Sequence, residues 1–172
     1  ALPVAALESL ALSLGADVPF FLQKSPCRAR GIGERLRPVD NLPPFWVLLA
    51  CAPFGLSTRE VYQHLNSPLT FGDNHATQSS PLPVVDFEFL VAGAKNDLQP
   101  VAEELRPEIG GVREELQRTG AAVVLMSGSG PTVFGLYRTY EQAVGAKLLL
   151  REHPDWNYLV ARGMISRPRT TA

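Results

Sequence analysis

Two consecutive prolines in the first third of the chain constrain its fold most strongly. Pro43 and Pro44 follow Asn41 and Leu42. Adjacent prolines resist both a helix interior and a central strand, because each fixes φ and lacks a backbone N–H. We therefore predict a domain boundary here, with residues 1–42 ending one domain and residues 43–172 forming a second.

The composition is that of a globular protein. The 172 residues are 45% hydrophobic, and 16 basic and 17 acidic residues give a net charge of −1. This balance provides no electrostatic footprint for nucleic acid or an anionic membrane. The longest apolar run, residues 45–52, is too short to span a bilayer, and no secretory signal pattern is visible. We expect a cytoplasmic protein without a nucleic-acid or membrane partner.

Residues 1–42 combine one helix with shorter elements. Val4, Leu7, Leu10 and Leu14 recur at spacings of three and four, which predicts a helix over residues 3–14 that Gly15 ends. Three further segments are predicted: a strand at Val18–Leu22, an exposed turn at Arg28–Glu34 built around Gly31 and Gly33, and an extended segment at Leu36–Val39.

Residues 43–172 read as strands and helices in alternation. Strands are predicted at 45–52, 121–126, 132–137 and 158–163. Helices are predicted after the N-cap Ser57 with Glu60 three residues later, over 98–116 in two pieces broken at Pro107 and ending at Gly120, and over 140–152. Residues 66–83 are predicted to be a loop. The pattern is that of an α+β domain with one sheet covered by helices on one face.

Several familiar site patterns are missing from the sequence. It contains no Walker P-loop, no Rossmann fingerprint and no H-E-x-x-H, and its three histidines are dispersed. The two cysteines lie far apart without a C-x-x-C pair, which disfavours a disulfide framework or a structural zinc site. We therefore expect no metal ligation by side chains.

Two segments are candidates for chemistry. Asp17 follows a predicted helix end, where an aspartate more often caps a turn by accepting backbone hydrogen bonds, although such a carboxylate can also accept a proton from an alcohol. Ser127-Gly128-Ser129-Gly130 stands between two predicted strands. It can be a simple hairpin turn, or a nest of N–H groups that faces an anion.

Five blocks in order give a more specific indication: Leu14-Gly15-Ala16-Asp17-Val18-Pro19-Phe20-Phe21, Gly31-Ile32-Gly33-Glu34, Ser57-Thr58 with Val61-Tyr62, Asn96-Asp97-Leu98, and Met126-Ser127-Gly128-Ser129-Gly130. Together they resemble the 4-diphosphocytidyl-2-C-methyl-D-erythritol kinases, a family within the superfamily of galactokinase, homoserine kinase, mevalonate kinase and phosphomevalonate kinase. The resemblance implies that residues 1–42 end an S5-like N-terminal domain. Residues 43–172 would then form the superfamily's C-terminal domain, with a mainly antiparallel sheet covered by helices on one face.

The resemblance also implies roles for particular residues. Asp17 would accept the proton of the substrate's hydroxyl as that oxygen attacks the γ-phosphate of ATP. Ile32 would lie in a segment lining a cytidine pocket, Thr58 would contact the substrate, and the ring of Tyr62 would stack on cytosine. An ordinary core tyrosine is the alternative for Tyr62.

Two further blocks receive supporting roles from the same resemblance. Ser127, Gly128, Ser129 and Gly130 would support the phosphate-binding loop. Asn96-Asp97-Leu98 is expected to cap and position the helix that follows, without a catalytic role.

The function implied is phosphorylation of the 2-hydroxyl of a small substrate that carries a cytidine diphosphate group, with ATP and Mg²⁺, in the non-mevalonate route to isoprenoid precursors. The family's glycine-rich ATP loop and its N-terminal lysine have no counterpart in the printed sequence. We expect about two fifths of the enzyme to be absent, on family layout and typical domain size, and the fragment to be inactive. The alternatives are another small-molecule kinase of the superfamily and a non-catalytic interaction module. The sequence leaves the oligomeric state open.

Overall fold

The computed structural model describes residues 3–23, 25–39, 42–65, 86–150 and 153–164. These residues fall into two compact units. The first comprises the described residues up to Pro43 together with Asp86 and Met164, and the second comprises the described residues of 44–65 and 87–163. The division in the chain lies between Pro43 and Pro44.

The first unit contains one long helix and one hairpin. Helix α1 spans Val4–Leu14, as the apolar spacing predicts, and a 3-10 helix follows at Val18–Leu22. Strands β1 (Cys27–Arg30) and β2 (Arg35–Pro38) pair antiparallel. The turn of this hairpin is residues 31–34, so the predicted exposed turn is confined to the second half of Arg28–Glu34.

The predicted strand at Val18–Leu22 is wrong. The N–H of Phe20 bonds to the carbonyl of Asp17 at 3.2 Å, and the N–H of Gln23 bonds to that of Phe20 at 3.0 Å. Pro19 stands in the first turn, where its fixed φ suits a helix and its missing N–H is not needed. A five-residue apolar run is too short for its periodicity to distinguish a strand from a helical turn, so the sequence pattern gave the wrong element type here.

The second unit is built on a four-stranded antiparallel sheet in the order β4-β5-β3-β6. Its strands are β3 (Trp46–Cys51), β4 (Val123–Met126), β5 (Val133–Tyr137) and β6 (Asn157–Arg162). All four agree with the predicted strands to within two residues. Strand β4 lies at an edge of the sheet, so one row of its backbone groups has no strand partner.

Five helices accompany this sheet in the described residues: α2 (Thr58–Gln63), α3 (Phe87–Ala92), α4 (Gln99–Leu105), α5 (Pro107–Arg118) and α6 (Tyr140–Leu149). The Ser57 cap and the break at Pro107 are confirmed, since the Ser57 hydroxyl accepts from the Glu60 N–H at 3.4 Å and α5 begins at the proline. Helix α3 was not predicted. The predicted loop 66–83 lies outside the described residues.

The core of the second unit joins the sheet to its helices. Buried side chains alternate along the strands, at Leu48 and Ala50 of β3 and at Val124 and Met126 of β4. They form one cluster with buried residues of α4, α5 and α6, namely Val101, Ala102, Ile109, Val112, Leu116, Ala143 and Ala146. The α+β class with an antiparallel sheet covered by helices is thus confirmed.

None of the helices in the described ranges is long and apolar enough to cross a membrane.

Candidate functional site

Asp17 occupies the junction between α1 and the 3-10 helix of the first unit. Its backbone carbonyl accepts a hydrogen bond from Phe20, but its side chain does not cap the 3-10 helix. The residue is exposed, and its carboxylate has no hydrogen-bond or salt-bridge partner among the residues described. The carboxylate is therefore not committed to the capping role that most aspartates in such turns perform.

The turn of the β1–β2 hairpin lies against this carboxylate. A Cβ placed on Gly33 would stand 2.8 Å from Asp17 Oδ1, closer than Cβ atoms normally approach any atom. Gly33 also has a φ of +120°, which side chains on L-residues rarely allow. The backbone conformation thus favours glycine at this position, and an added Cβ would also force the Asp17 carboxylate or the turn to move.

The same turn carries Ile32, whose side chain is 78% exposed. Two residues that the sequence nominated separately, Asp17 and Ile32, therefore lie on adjoining segments of one unit. The arrangement places an exposed apolar side chain in the turn that lies against the Asp17 carboxylate.

Glu34 is hydrogen-bonded within the same turn. Its carboxylate accepts a hydrogen bond from the Ile32 N–H at 2.8 Å and lies 3.2 Å from Arg35 Nε. Hydrogen bonds from its own N–H and from the Ile32 N–H, with the nearby Arg35 charge, lower the pKa of Glu34, while partial burial acts in the opposite direction. Glu34 belongs to the sequence block Gly31-Ile32-Gly33-Glu34, but the spacing of that block does not indicate the hydrogen bond from the Ile32 N–H.

We expect protonation of Glu34 to loosen this turn. Because its folded-state pKa lies below the ordinary value of 4.5, the stabilising contribution is complete at neutral pH and is lost as the pH falls through the lowered pKa. The Ile32 amide chemical shift, followed by NMR during acidification, should report a midpoint below 4.5. In the Glu34→Gln variant this transition should vanish. In the wild-type protein, a midpoint at or above the ordinary glutamate pKa of 4.5 would contradict the assignment of the transition to Glu34.

In the second unit, residues 127–130 form the tight turn between β4 and β5. The Ser127 N–H bonds to the Thr132 carbonyl at 2.8 Å, and the Gly130 N–H bonds to the Ser127 carbonyl at 3.0 Å. Gly128 and Gly130 have φ of +57° and +90°. The N–H groups of Gly128 and Ser129 have no acceptor among the described residues, so the hairpin turn also offers consecutive donors of the kind that bind anions.

Helix α2 brings Thr58 to this turn. The hydroxyls of Thr58 and Ser129 are 2.8 Å apart and share one hydrogen bond. Tyr62 follows four residues later on the same side of α2, and its side chain is 49% exposed. The alternative of a core tyrosine is therefore wrong, and the ring is available for contact with a ligand.

Asn96 makes contacts that the sequence did not predict. Its side-chain oxygen accepts from the Leu98 N–H at 2.9 Å, in a turn just before α4. The N-cap of α4 is Leu98 and has no side-chain cap, so the expected capping of this helix by Asn96 is not observed. The amide nitrogen of Asn96 also donates to the carbonyls of Met126 and Gly128, both at 2.8 Å. No periodicity or motif spacing indicates a bond across thirty positions, so this role was not visible in the sequence.

The described residues contain no group of three or more histidine, cysteine, aspartate or glutamate side chains that could hold a metal ion. We therefore assign none of them as a ligand of the Mg²⁺ that the resemblance implies.

The chain is similar to known proteins over most of its length. Residues 87–154 match the family model described as GHMP kinases C terminal. The 4-diphosphocytidyl-2-C-methyl-D-erythritol kinase of Rhizobium leguminosarum is 43% identical over 162 residues, which cover 91% of this chain and 52% of that protein. The enzyme of the same name from Geobacter metallireducens is 40% identical over 164 residues, covering 95% and 57%.

The chain is also similar to solved kinase structures. A crystal structure of 4-(cytidine 5'-diphospho)-2C-methyl-D-erythritol kinase matches with a TM-score of 0.70 and 35% identity, over 91% of this chain and 56% of that one. Homoserine kinase from Cytophaga hutchinsonii shares the fold, with a TM-score of 0.52 and 19% identity over 76% and 45%. The chain spans about half the length of the curated relatives it matches. Residues 87–154 thus match the C-terminal GHMP kinase family model, and the chain is similar over about nine tenths of its length to part of the 4-diphosphocytidyl-2-C-methyl-D-erythritol kinases.

Proposed function

We propose that this chain forms the C-terminal part of an ATP-dependent kinase that phosphorylates the 2-hydroxyl of 4-diphosphocytidyl-2-C-methyl-D-erythritol. The reaction belongs to the non-mevalonate route to isoprenoid precursors, and the proposal includes a cytoplasmic location, where ATP is available. The names of the relatives support the reaction. The observation that carries it is the exposed, uncommitted Asp17 carboxylate beside the Gly31–Glu34 turn.

Asp17 is the proposed general base. The substrate's hydroxyl donates a hydrogen bond to the carboxylate, and its oxygen attacks the γ-phosphorus of ATP. The new O–P bond forms as the bond to the ADP oxygen breaks, and the hydroxyl proton passes to Asp17. In phosphoryl transfer of this kind catalysis depends mainly on positioning and on late proton transfer.

Three exposed side chains are proposed to bind the substrate. Ile32 offers an apolar surface beside the base, and Thr58 and Tyr62 present a hydroxyl and a ring from one side of α2. An aromatic ring can stack on cytosine, a contact worth about 1–3 kcal/mol per base in nucleic-acid complexes. We therefore propose that Thr58 and Tyr62 of the second unit contribute to recognition of a cytidine diphosphate group.

The turn at residues 127–130 is the proposed phosphate-side support. The N–H groups of Gly128 and Ser129, which have no acceptor in the described part of the chain, suit a region of negative charge. ATP would enter as its magnesium complex, in which the ion neutralises charge on the phosphates. The described residues of this chain provide no side-chain cluster for that ion, and no role is proposed for them in holding it.

A chimeric kinase tests the proposal. The part of the Rhizobium leguminosarum kinase that does not align with this chain is joined to these 172 residues, and ATP-dependent phosphorylation is followed by ³¹P NMR. We expect the chimeric kinase to phosphorylate the cytidine diphosphate substrate and the 172-residue polypeptide alone to be inactive. Phosphate transfer by the isolated polypeptide would refute its inactivity.

The same assay separates the alternatives. An active chimeric kinase that prefers a different alcohol, such as homoserine or mevalonate, would favour another kinase of the superfamily and overturn the substrate assignment. An inactive one, with RNA affinity at low salt in the 172-residue polypeptide, would favour an interaction module. The net charge of −1 argues against that last outcome.

A further inference from the structure

We propose that Asn96 is a positioning residue for the turn at residues 127–130, and that it fixes the direction of the Ser129 N–H. The geometric part of this inference stands on the second unit alone. Its kinetic consequence rests on the proposed function, because it takes the turn to be on the phosphate side of a kinase site.

The contact begins at the free edge of the sheet. Strand β4 pairs with β5 on one side only, and Met126 is the last residue of that strand. Its two backbone groups are instead bonded by side chains: the Met126 N–H donates to Gln99 Oε1 at 2.9 Å, and the Met126 carbonyl accepts from Asn96 Nδ2 at 2.8 Å. The side chains of Gln99, the first residue of α4, and of Asn96, three residues before it, thus replace a neighbouring strand at this point.

Asn96 then extends beyond the strand into the turn. The same amide nitrogen donates to the Gly128 carbonyl at 2.8 Å, while Asn96 Oδ1 accepts from the Leu98 N–H. Asparagine is suited to this position because it offers two N–H donors and an acceptor on a short side chain. Aspartate offers only acceptors when ionised, and serine has a single hydroxyl in place of the amide.

The Gly128 carbonyl controls a donor on the far side of its own peptide group. In a planar trans peptide, the carbonyl of residue 128 and the N–H of residue 129 point in opposite directions. Holding the Gly128 oxygen toward Asn96 therefore directs the Ser129 N–H away from it. The bond from Asn96 to the Gly128 carbonyl therefore sets the orientation of the Ser129 N–H before any ligand binds. That N–H has no acceptor among the described residues, so it is available to a ligand.

This arrangement makes glycine at 128 and asparagine at 96 complementary. Gly128 accepts a φ of +57°, which glycine adopts without the penalty that a side chain would bring. Gly128 allows the turn to adopt the required shape, and the Asn96 amide selects that shape among those open to glycine. The turn is thereby preorganised, which reduces the ordering needed when a ligand binds.

The first test is on the 172-residue polypeptide, by amide hydrogen exchange measured by NMR. Asn96→Ser retains a short acceptor for the Leu98 N–H but loses the donors to Met126 and Gly128, and Asn96→Asp loses the same donors. In both variants we expect the Gly130 amide to exchange about tenfold faster, as in a local opening, while the Gly135 amide in β5 is unchanged.

Gln99→Ala is the matched control. It removes a side-chain bond to the same strand end, at the Met126 N–H, but does not affect Gly128. We expect the Gly130 amide to exchange at the wild-type rate in this variant. Wild-type exchange of the Gly130 amide in both Asn96 variants would overturn the proposal, because Asn96 would then not hold the turn. Equal acceleration in Gln99→Ala would also overturn it, because the faster exchange would then come from loosening the end of β4.

The second test uses the chimeric kinase. We expect Asn96→Ser to raise KM for ATP about tenfold with kcat within about threefold of wild type, the pattern produced when binding is lost equally in ground and transition states. A purely structural role would lower the amount of active enzyme without changing KM. An unchanged KM would contradict the proposed positioning. An inactive wild-type chimera would count against the proposed function only, because the exchange rates still test the position of the turn.

Discussion

Asp17→Asn is expected to abolish most of the phosphoryl transfer in the chimeric kinase. The substitution retains the size and polarity of the side chain but removes the group that accepts the hydroxyl proton. Loss of a general base lowers kcat by about 10²–10⁴-fold. Because Asp17 is exposed and makes no side-chain cap in the 3-10 helix, the substitution should leave the fold unchanged. Steady-state kinetics together with a thermal melt of the same sample measure both quantities.

A matched carboxylate distinguishes chemistry from net charge in that experiment. Glu8 is exposed on α1 in the same unit, and Glu8→Gln removes one negative charge as Asp17→Asn does. We expect Glu8→Gln to keep kcat within about threefold of wild type, the range of a surface change that removes no interaction specific to the transition state. Equal losses in the two variants would indicate a general electrostatic effect and remove Asp17 from its role as base.

The elements of the second unit were largely predictable because their signals are local. Each strand is an apolar run with a turn on either side, and Pro107 divides α4 from α5 because a proline cannot continue the first helix but can begin the second. Ser57 and Thr139 cap helices through contacts within three residues. Information of this range is contained in a short window of sequence.

The elements that prediction missed lack such a signal. Val18–Leu22 has the composition of a strand, and only the hydrogen bonds from Phe20 and Gln23 identify it as a 3-10 helix. Helix α3 is six residues long, too short for a period of 3.6 to repeat twice. In both segments the contacts of the folded unit, not local preference, determine the backbone.

The site divides in the same way. The resemblance nominated Asp17, Ile32, Thr58 and the turn at 127–130, all within short ordered blocks. The contacts that relate these residues join distant positions: Thr58 to Ser129 across 71 residues, and Asn96 to Gly128 across 32. A hydrogen bond of this kind depends on the packing of whole elements, so only the three-dimensional structure reveals it.

Gly33→Ala is expected to lower kcat of the chimeric kinase about tenfold to hundredfold, although it removes no functional group. A methyl at position 33 would stand 2.8 Å from Asp17 Oδ1, and the φ of +120° is unfavourable for alanine. Either the carboxylate or the turn with Ile32 must therefore move. A displacement of about 1 Å in a reacting group can cost about a hundredfold in rate.

Gly120→Ala separates the two effects of that substitution. Gly120 also has a positive φ, of +82°, but a Cβ there would meet no atom within 4 Å. Alanine at this position should destabilise the protein by about 1–2 kcal/mol through backbone strain alone, with kcat unchanged. Urea unfolding and kcat, measured for both variants, then distinguish strain from displacement. Equal loss of stability with loss of kcat only in Gly33→Ala would assign the effect to the contact with Asp17. A fully active Gly33→Ala would mean that the hairpin turn does not hold the carboxylate in place.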